Sequence, residues 1–170
     1  MKSLTLHFLI CAVVLCGLAV LSCSKSKEDD VAQIQALEKS YIDAFNAKDL
    51  NGIMSVYVPD DSLIAFDATP PRQYVGAKAY RKDYADMLAL FPGLIHVEVS
   101  DWKIDSEGNL GYGHGFFHFV GTDKDGKVWD ATARQTDMYR KINGKWLILH
   151  EHASWPVDFT TGKADLTSKP

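Results

Sequence analysis

Cysteine is almost absent from this chain. Of 170 residues only three are Cys: Cys11 and Cys16 lie inside an apolar N-terminal run, and Cys23 lies just beyond it. The body of the chain therefore carries no thiol, which removes disulfide frameworks, thiolate metal sites and cysteine nucleophiles together. Positive charge is also short. After Cys23 the sequence holds 17 basic against 22 acidic side chains, a formal balance of −5. An acidic surface excludes nucleic acid as a partner, because such binding rests on neutralising phosphates. Internal repeats and low-complexity tracts are lacking. So is a phosphate loop: "GYGHG" at Gly111 to Gly115 lies inside a strand pattern and opens no helix. Its glycines are better suited to bending a sheet or admitting a close backbone.

What is present begins with the single long apolar run, Leu4 to Leu21, preceded by Lys2. It is short, terminal and closed by small residues, which fits a secretory signal better than a membrane span. Its end, Val20-Leu21-Ser22-Cys23, resembles the bacterial lipobox. That resemblance implies a signal peptide over residues 1–22, a lipidated Cys23, and an exported lipoprotein held to the membrane on the periplasmic or cell-surface side. "SKSKEDD" continues residues 23–30 as a flexible tether. One domain over residues 31–158 follows, with roughly 130 residues for one core, and a polar tail over 159–170 is expected to be loose.

Apolar residues recur at three- and four-residue spacing from Val31 to Lys48 (Val31, Ile34, Leu37, Tyr41, Phe45), which predicts a helix with one apolar face. Asp49 can cap a shorter helix bearing Leu50, Ile53, Met54 and Tyr57 that stops before Pro59. A short strand, Ser62 to Asp67, precedes the breaker "TPP", and Gly76 leads into a third helix with Tyr80, Tyr84, Met87, Leu88 and Phe91, ended by Pro92-Gly93. Strands follow over Leu94 to Asp105, Leu110 to Thr122, and from Val128 onward. Helices first and a strand meander after them make the chain α+β with a mainly antiparallel sheet.

The C-terminal stretch "ATARQTDMYRKINGKWLILHEHASWPVD" is the richest in chemistry. Asn143-Gly144 supplies the positive φ angles of a tight hairpin, and Pro156 ends the ladder for want of an N–H. Strict alternation puts Trp146, Ile148, His150 and His152 on one face and Leu147, Leu149, Glu151 and Ala153 on the other. Polar groups among such apolar neighbours form either a satisfied structural network or the wall of a pocket.

The element order, together with "AFNAKDLNGIMSVYVPDDSLIAF", "YVGAKAYRKDYADM" and "RQTDMYRKINGKWLILHEHAS", resembles the SnoaL-like, ketosteroid-isomerase-like and nuclear-transport-factor-2-like superfamily over Ile34 to Asp158. The resemblance implies a cone-shaped fold: about three N-terminal helices packed on a strongly curved sheet of four long strands plus a short one, enclosing a cavity that holds either a ligand or a catalytic site. It also suggests a homodimer. In the kinase-association branch, pocket arginines stand where this chain has Asp137 and Ala153, which speaks against a strongly anion-binding pocket. The base position of the ketosteroid isomerases falls on Phe66, with Asp67 pointing the other way. Asp67, Arg134 and Asp137 imitate the Asp-Arg-Asp relay of epoxide hydrolases of this fold, at a spacing that is not diagnostic.

Taken singly, His150 and His152 at i and i+2 could present two metal ligands, with His114 or His118 as a third, but imidazoles on half-buried strands more often hydrogen-bond to backbone or acids. No metal and no cofactor is therefore expected. Arg134 needs a carboxylate, a carbonyl or an anionic ligand if buried. The set Arg134, Thr136, His150, His152 and Ser154 is assigned to the cavity, and Asp137, Glu151 and the leucines to the covered outer sheet. Tyr41, Tyr57, Phe66, His118, Arg134, His150, His152 and Trp155 are the expected ligand-binding residues, with His152 and Asp137 as candidate catalytic groups.

The leading function is a lipid-anchored domain binding a small, mostly apolar molecule without established catalysis. A lyase, hydratase or isomerase in the same pocket, and a dimerising assembly module, are the alternatives. Metabolic labelling with a palmitate analogue is expected to tag the protein and Cys23→Ala to remove the tag; a tag persisting in the variant would exclude lipidation at that residue.

Overall fold

A computed structural model describes residues 27–168. The expected signal peptide and Cys23 lie outside them. Helix α1 (Lys27–Asn46) begins earlier than the sequence pattern suggests, so the last four residues of the expected tether are helical. Two contacts account for this. Glu28, Asp29 and Asp30 place negative charge on the first turn, where the helix dipole favours it. The Asp30 carboxylate accepts from Lys141 Nζ at 2.5 Å and from Trp146 Nε1 at 3.2 Å, tying the turn to the terminal hairpin. Asp49 caps α2 (Leu50–Met54), its side chain accepting from the Asn51 amide at 3.0 Å. The third helix, α3, runs Ala77–Leu90.

The strands are β1 (Ile64–Phe66), β2 (Tyr74–Val75), β3 (Ile95–Glu107), β4 (Leu110–Thr122), β5 (Val128–Ile142) and β6 (Lys145–Ser154). They form one six-stranded sheet in the order β2-β1-β6-β5-β4-β3. All neighbours are antiparallel except β1 and β6, which run parallel. The hairpin between β5 and β6 turns at Asn143 (φ 52°) and Gly144 (φ 80°), as the pair demands. The helices cover the inner face of the curved sheet. Between them lies a core of Ile34, Tyr41, Phe45, Ile53, Val58, Leu63, Tyr80, Tyr84, Val97, Tyr139 and Ile148, all buried.

Two irregularities shape the inner face. In β3 the register shifts between Ser100 and Lys103, with Asp101 at φ 53°, and Trp102 leans over β4. The glycines of "GYGHG" make room for it: a Cβ on Gly113 would sit 2.7 Å from Tyr139 Oη, and one on Gly115 would sit 2.6 Å from Trp102 Cε3 and 2.8 Å from the Ser100 carbonyl. In β6 the register shifts at Leu149, where the partner of Met138 is His150 and that of Tyr139 is Ile148. At that bulge the outer edge of β6 changes neighbour. Ile148 exchanges hydrogen bonds with Val56 and Val58, whereas His150 to His152 pair with β1.

The described part of the tail makes backbone contacts. Val157 bridges Ala164, and the Thr132 amide donates to the Leu166 carbonyl at 2.8 Å. Once Trp155-Pro156 ends β6, the N-terminal half of β5 has backbone groups to satisfy, and the returning tail meets one of them.

Gly115→Ala is expected to lower unfolding stability by about 1–3 kcal/mol in urea titration, since the methyl meets backbone as well as a ring; an unchanged midpoint would contradict the close approach of Trp102.

Candidate functional site

The β6 bulge decides which side chains face inward. On β5, inward positions alternate without interruption: Ala131, Ala133, Gln135, Asp137 and Tyr139 are buried. On β6, Trp146 and Ile148 face in, the extra residue Leu149 reverses the alternation, and Glu151 faces in beside Asp137. The assignment of the histidine set to the cavity is thereby corrected. Arg134, Thr136, Ser154, His150 and His152 do share a face, as cross-strand pairs Arg134 with Ser154 and Thr136 with His152, but it is the outer one. His150 is half-buried there, Nδ1 lying 2.8 Å from the Ile64 carbonyl oxygen, and Phe66 packs edge-on against both imidazoles. Arg134 and His152 are exposed. His118 is held outside between Glu98 (3.2 Å) and Asp130 (2.9 Å), whose hydrogen bonds raise its pKa above the ordinary histidine value.

Inside, the helices and sheet enclose a cavity of about 410 Å³. Phe45, Met87, Leu90, Phe91, Phe117 and Phe119 form much of its wall, with Ala131 and Ala133 as floor. Of the expected ligand-binding residues, Tyr41 and Trp155 line it. The Trp155 indole N–H is buried and has no partner among the described residues. Tyr57 stands just behind, in the hydrogen-bond network. Asp137 is wholly buried beneath the lining and receives only the Gln135 amide, at 3.1 and 3.3 Å. Asp67, read from sequence as pointing away, lines the cavity.

Sequence reading missed the centre of the site, Glu151. Its Oε2 accepts from Tyr57 Oη at 2.5 Å and its Oε1 from Tyr80 Oη. Tyr84 Oη lies 2.8 Å from both Tyr57 Oη and Tyr41 Oη. Each phenol has one proton. With that of Tyr57 given to Glu151, Tyr84 donates to Tyr57 and Tyr41 to Tyr84, so a directed chain of hydroxyls ends on the carboxylate. Burial holds all four tyrosines well above their usual pKa, and the charge of Glu151 raises them further, so they stay neutral donors. Tyr80 and Tyr84 are one helical turn apart on α3 and read in sequence as an apolar stripe; their shared spacing with Met87 hid a polar edge.

Carboxyl groups dominate the electrostatics. Burial raises Glu151 despite the two tyrosine donors that oppose the shift. Asp137 is pushed well above the carboxylate range by burial and then by Glu38 and Glu151. Burial lifts Glu38 to about 7, against the hydrogen bond it accepts from Tyr139 Oη at 2.7 Å. Asp67 also rises to about 7, through burial and the neighbouring charges of Glu151 and Asp83. Among the described residues, no Lys, Arg or His lines the cavity. Among the described residues, no group of three or more His, Cys, Asp or Glu is placed to hold a metal ion. Chemically, the arrangement offers a carboxyl group whose pKa burial raises, braced by phenols, at the end of an apolar chamber.

Comparison with known proteins adds the following. Residues 34–158 match the family model of the SnoaL-like domain. No curated protein matches. An NTF2-like protein of unknown function from Pseudomonas putida is 28% identical, with TM-score 0.73 over 83% of this chain and 96% of that one. A putative calcium/calmodulin dependent protein kinase II association domain from Xanthomonas campestris is 20% identical (TM-score 0.62; 78% and 89% covered). A putative dehydratase from Streptomyces avermitilis is 16% identical (TM-score 0.67; 76% and 97% covered). The last two share the fold.

The stability contributed by the Glu38 proton is fully present below pH 4.5, where the unfolded chain is protonated too, and is lost as pH rises through about 7. Between pH 5 and 8 the wild type is expected to lose about 2–3 kcal/mol more than Glu38→Gln in urea titrations; parallel pH dependences would contradict the buried acid.

Proposed function

Because the chain belongs to the SnoaL-like family, we propose that its cavity binds a small, mostly apolar molecule whose polar end meets Glu151 and its tyrosines. The carrying observation is the union of an apolar chamber of about 410 Å³ with one polar end. Ligand sites commonly have this form: a hydrophobic wall and few, fixed polar groups. The buried Trp155 N–H, which has no acceptor among the described residues, adds a donor for an acceptor atom of the ligand.

A second reading has an observation of its own. A carboxyl group raised above its ordinary pKa inside a pocket suits general acid–base catalysis, so a lyase, hydratase or isomerase reaction is the alternative, with Glu151 replacing His152 and Asp137 as the proton-transfer group. The name of the putative dehydratase with this fold points to the same reaction class. Two further parts of the proposal rest on other features. The lipobox-like segment supports membrane anchoring through Cys23. Exposed Tyr112 and Met138, cross-strand partners on the outer sheet face, support homodimerisation there.

Incubation with a metabolite extract followed by native mass spectrometry is expected to show a retained small-molecule mass. Ala133→Trp, which fills the floor, should lose it while keeping its circular dichroism spectrum; no retained mass, or equal retention by the variant, would overturn the binding reading. Turnover of the retained compound that disappears in Glu151→Gln while the compound still binds would select the catalytic reading.

A further inference from the structure

The charge balance of the cavity is one-sided. Asp67, Asp83, Asp86 and Glu151 contribute to its lining and, among the described residues, no basic side chain does. Asp86 is offset by Lys82 on the exposed side of α3, one turn before it. The others have no such cation. Asp83 accepts a phenol proton from Tyr74 at 2.5 Å, Glu151 accepts two from Tyr57 and Tyr80, and Asp67 accepts from the Thr69 amide at 3.3 Å. Hydrogen bonds from neutral donors solvate these oxygens without cancelling their charge. Glu151 is buried and Asp67 and Asp83 are half-buried, and carboxyls withdrawn from water are ordinarily paired with a cation or kept protonated. Here Asp67 sits near both Glu151 and Asp83, so three acids share one end of the chamber with nothing positive between them.

The rest of the cavity tells which molecule could supply the missing charge. The rings of Tyr41, Phe45, Tyr80 and Tyr84 pack together in the lining, with centroids 4.8 to 6.5 Å apart, and the Tyr80 hydroxyl reaches Glu151. Aromatic rings attract a cation that has shed its water. The remainder of the chamber is apolar and of a size to take a ring or short hydrocarbon body. An anionic ligand would meet repulsion from three carboxyls and gain no counter-charge; a neutral ligand would leave the acids as they are.

We propose that the cavity selects small amines: molecules with an apolar or aromatic body and one protonated nitrogen, the nitrogen seated among Asp67, Asp83 and Glu151 and the body against the phenylalanine wall. This rests on the small-molecule reading above and narrows it to one ligand charge.

Three probes with one body and three charges test it: 4-phenylbutylamine, 4-phenylbutan-1-ol and 4-phenylbutyrate, titrated calorimetrically into the described domain within the full chain at pH 7.5. The amine is expected to bind at least about tenfold more tightly than the alcohol, and the carboxylate most weakly. Asp67→Asn should cut the amine-to-alcohol affinity ratio about fivefold or more, with Asp83→Asn as a second variant on the half-buried helix surface should the first fail to fold. An alcohol or carboxylate that binds as well as the amine, or a ratio unmoved in both variants, would overturn the amine proposal and leave the binding reading standing. Binding of none of the three, up to millimolar concentration, would overturn both.

Discussion

Strand β6 is gripped on one side by β5 and on the other by two different segments, and its bulge at Leu149 is where the second grip changes hands. Val56 and Val58 hold Ile148, and β1 holds His150 to His152. One extra residue takes up the offset between these two partners. The consequence is chemical as well as geometric: without it, Glu151 would point outward and His150 inward. The polar end of the cavity, the tyrosine chain and the position of the histidines all follow from that single interruption of the alternation.

Turning Glu151 inward gives the cavity an acidic end to which, among the described residues, no Lys, Arg or His contributes. Glu38, Asp137 and Glu151 lie on three elements, α1, β5 and β6: Glu151 lines the cavity, and Glu38 and Asp137 lie buried behind it. Each is satisfied by neutral donors: Tyr139 for Glu38, Gln135 for Asp137, Tyr57 and Tyr80 for Glu151. Neutral donors suffice for hydrogen bonding but not for charge, so protons take the place of counter-ions and the pKa values rise. Such an arrangement lowers stability near neutral pH. Its retention is easiest to understand if the same acids serve a ligand or a proton transfer, the usual reason for perturbed titratable groups in a cleft.

Much of the architecture was legible beforehand. The three helices follow from apolar periodicity, Asp49 and Pro92-Gly93 mark boundaries, and Asn143-Gly144 names the hairpin. The start of α1 was less so, since its first turn is polar throughout and is held by Lys141 and Trp146 from the far end of the chain. The contacts of the tail were not legible for the same reason: its ties to Thr132 and Pro156 are backbone hydrogen bonds, which composition does not announce. Within the site, Tyr41 and Trp155 were picked out. Tyr80 and Tyr84 were seen as core alone, because a phenol at helical spacing looks the same whether or not its hydroxyl has a partner.

The amino-acid sequence by itself determined the helix faces, the meander of long strands, the family and even which polar residues share a face, since Arg134, Thr136, His152 and Ser154 alternate correctly among themselves. Only the tertiary structure decided which of the two faces is the inside. Alternation along a strand is a local property of the chain, but a bulge arises where two non-local neighbours meet the strand at different registers, and neither neighbour is visible in the residues of β6.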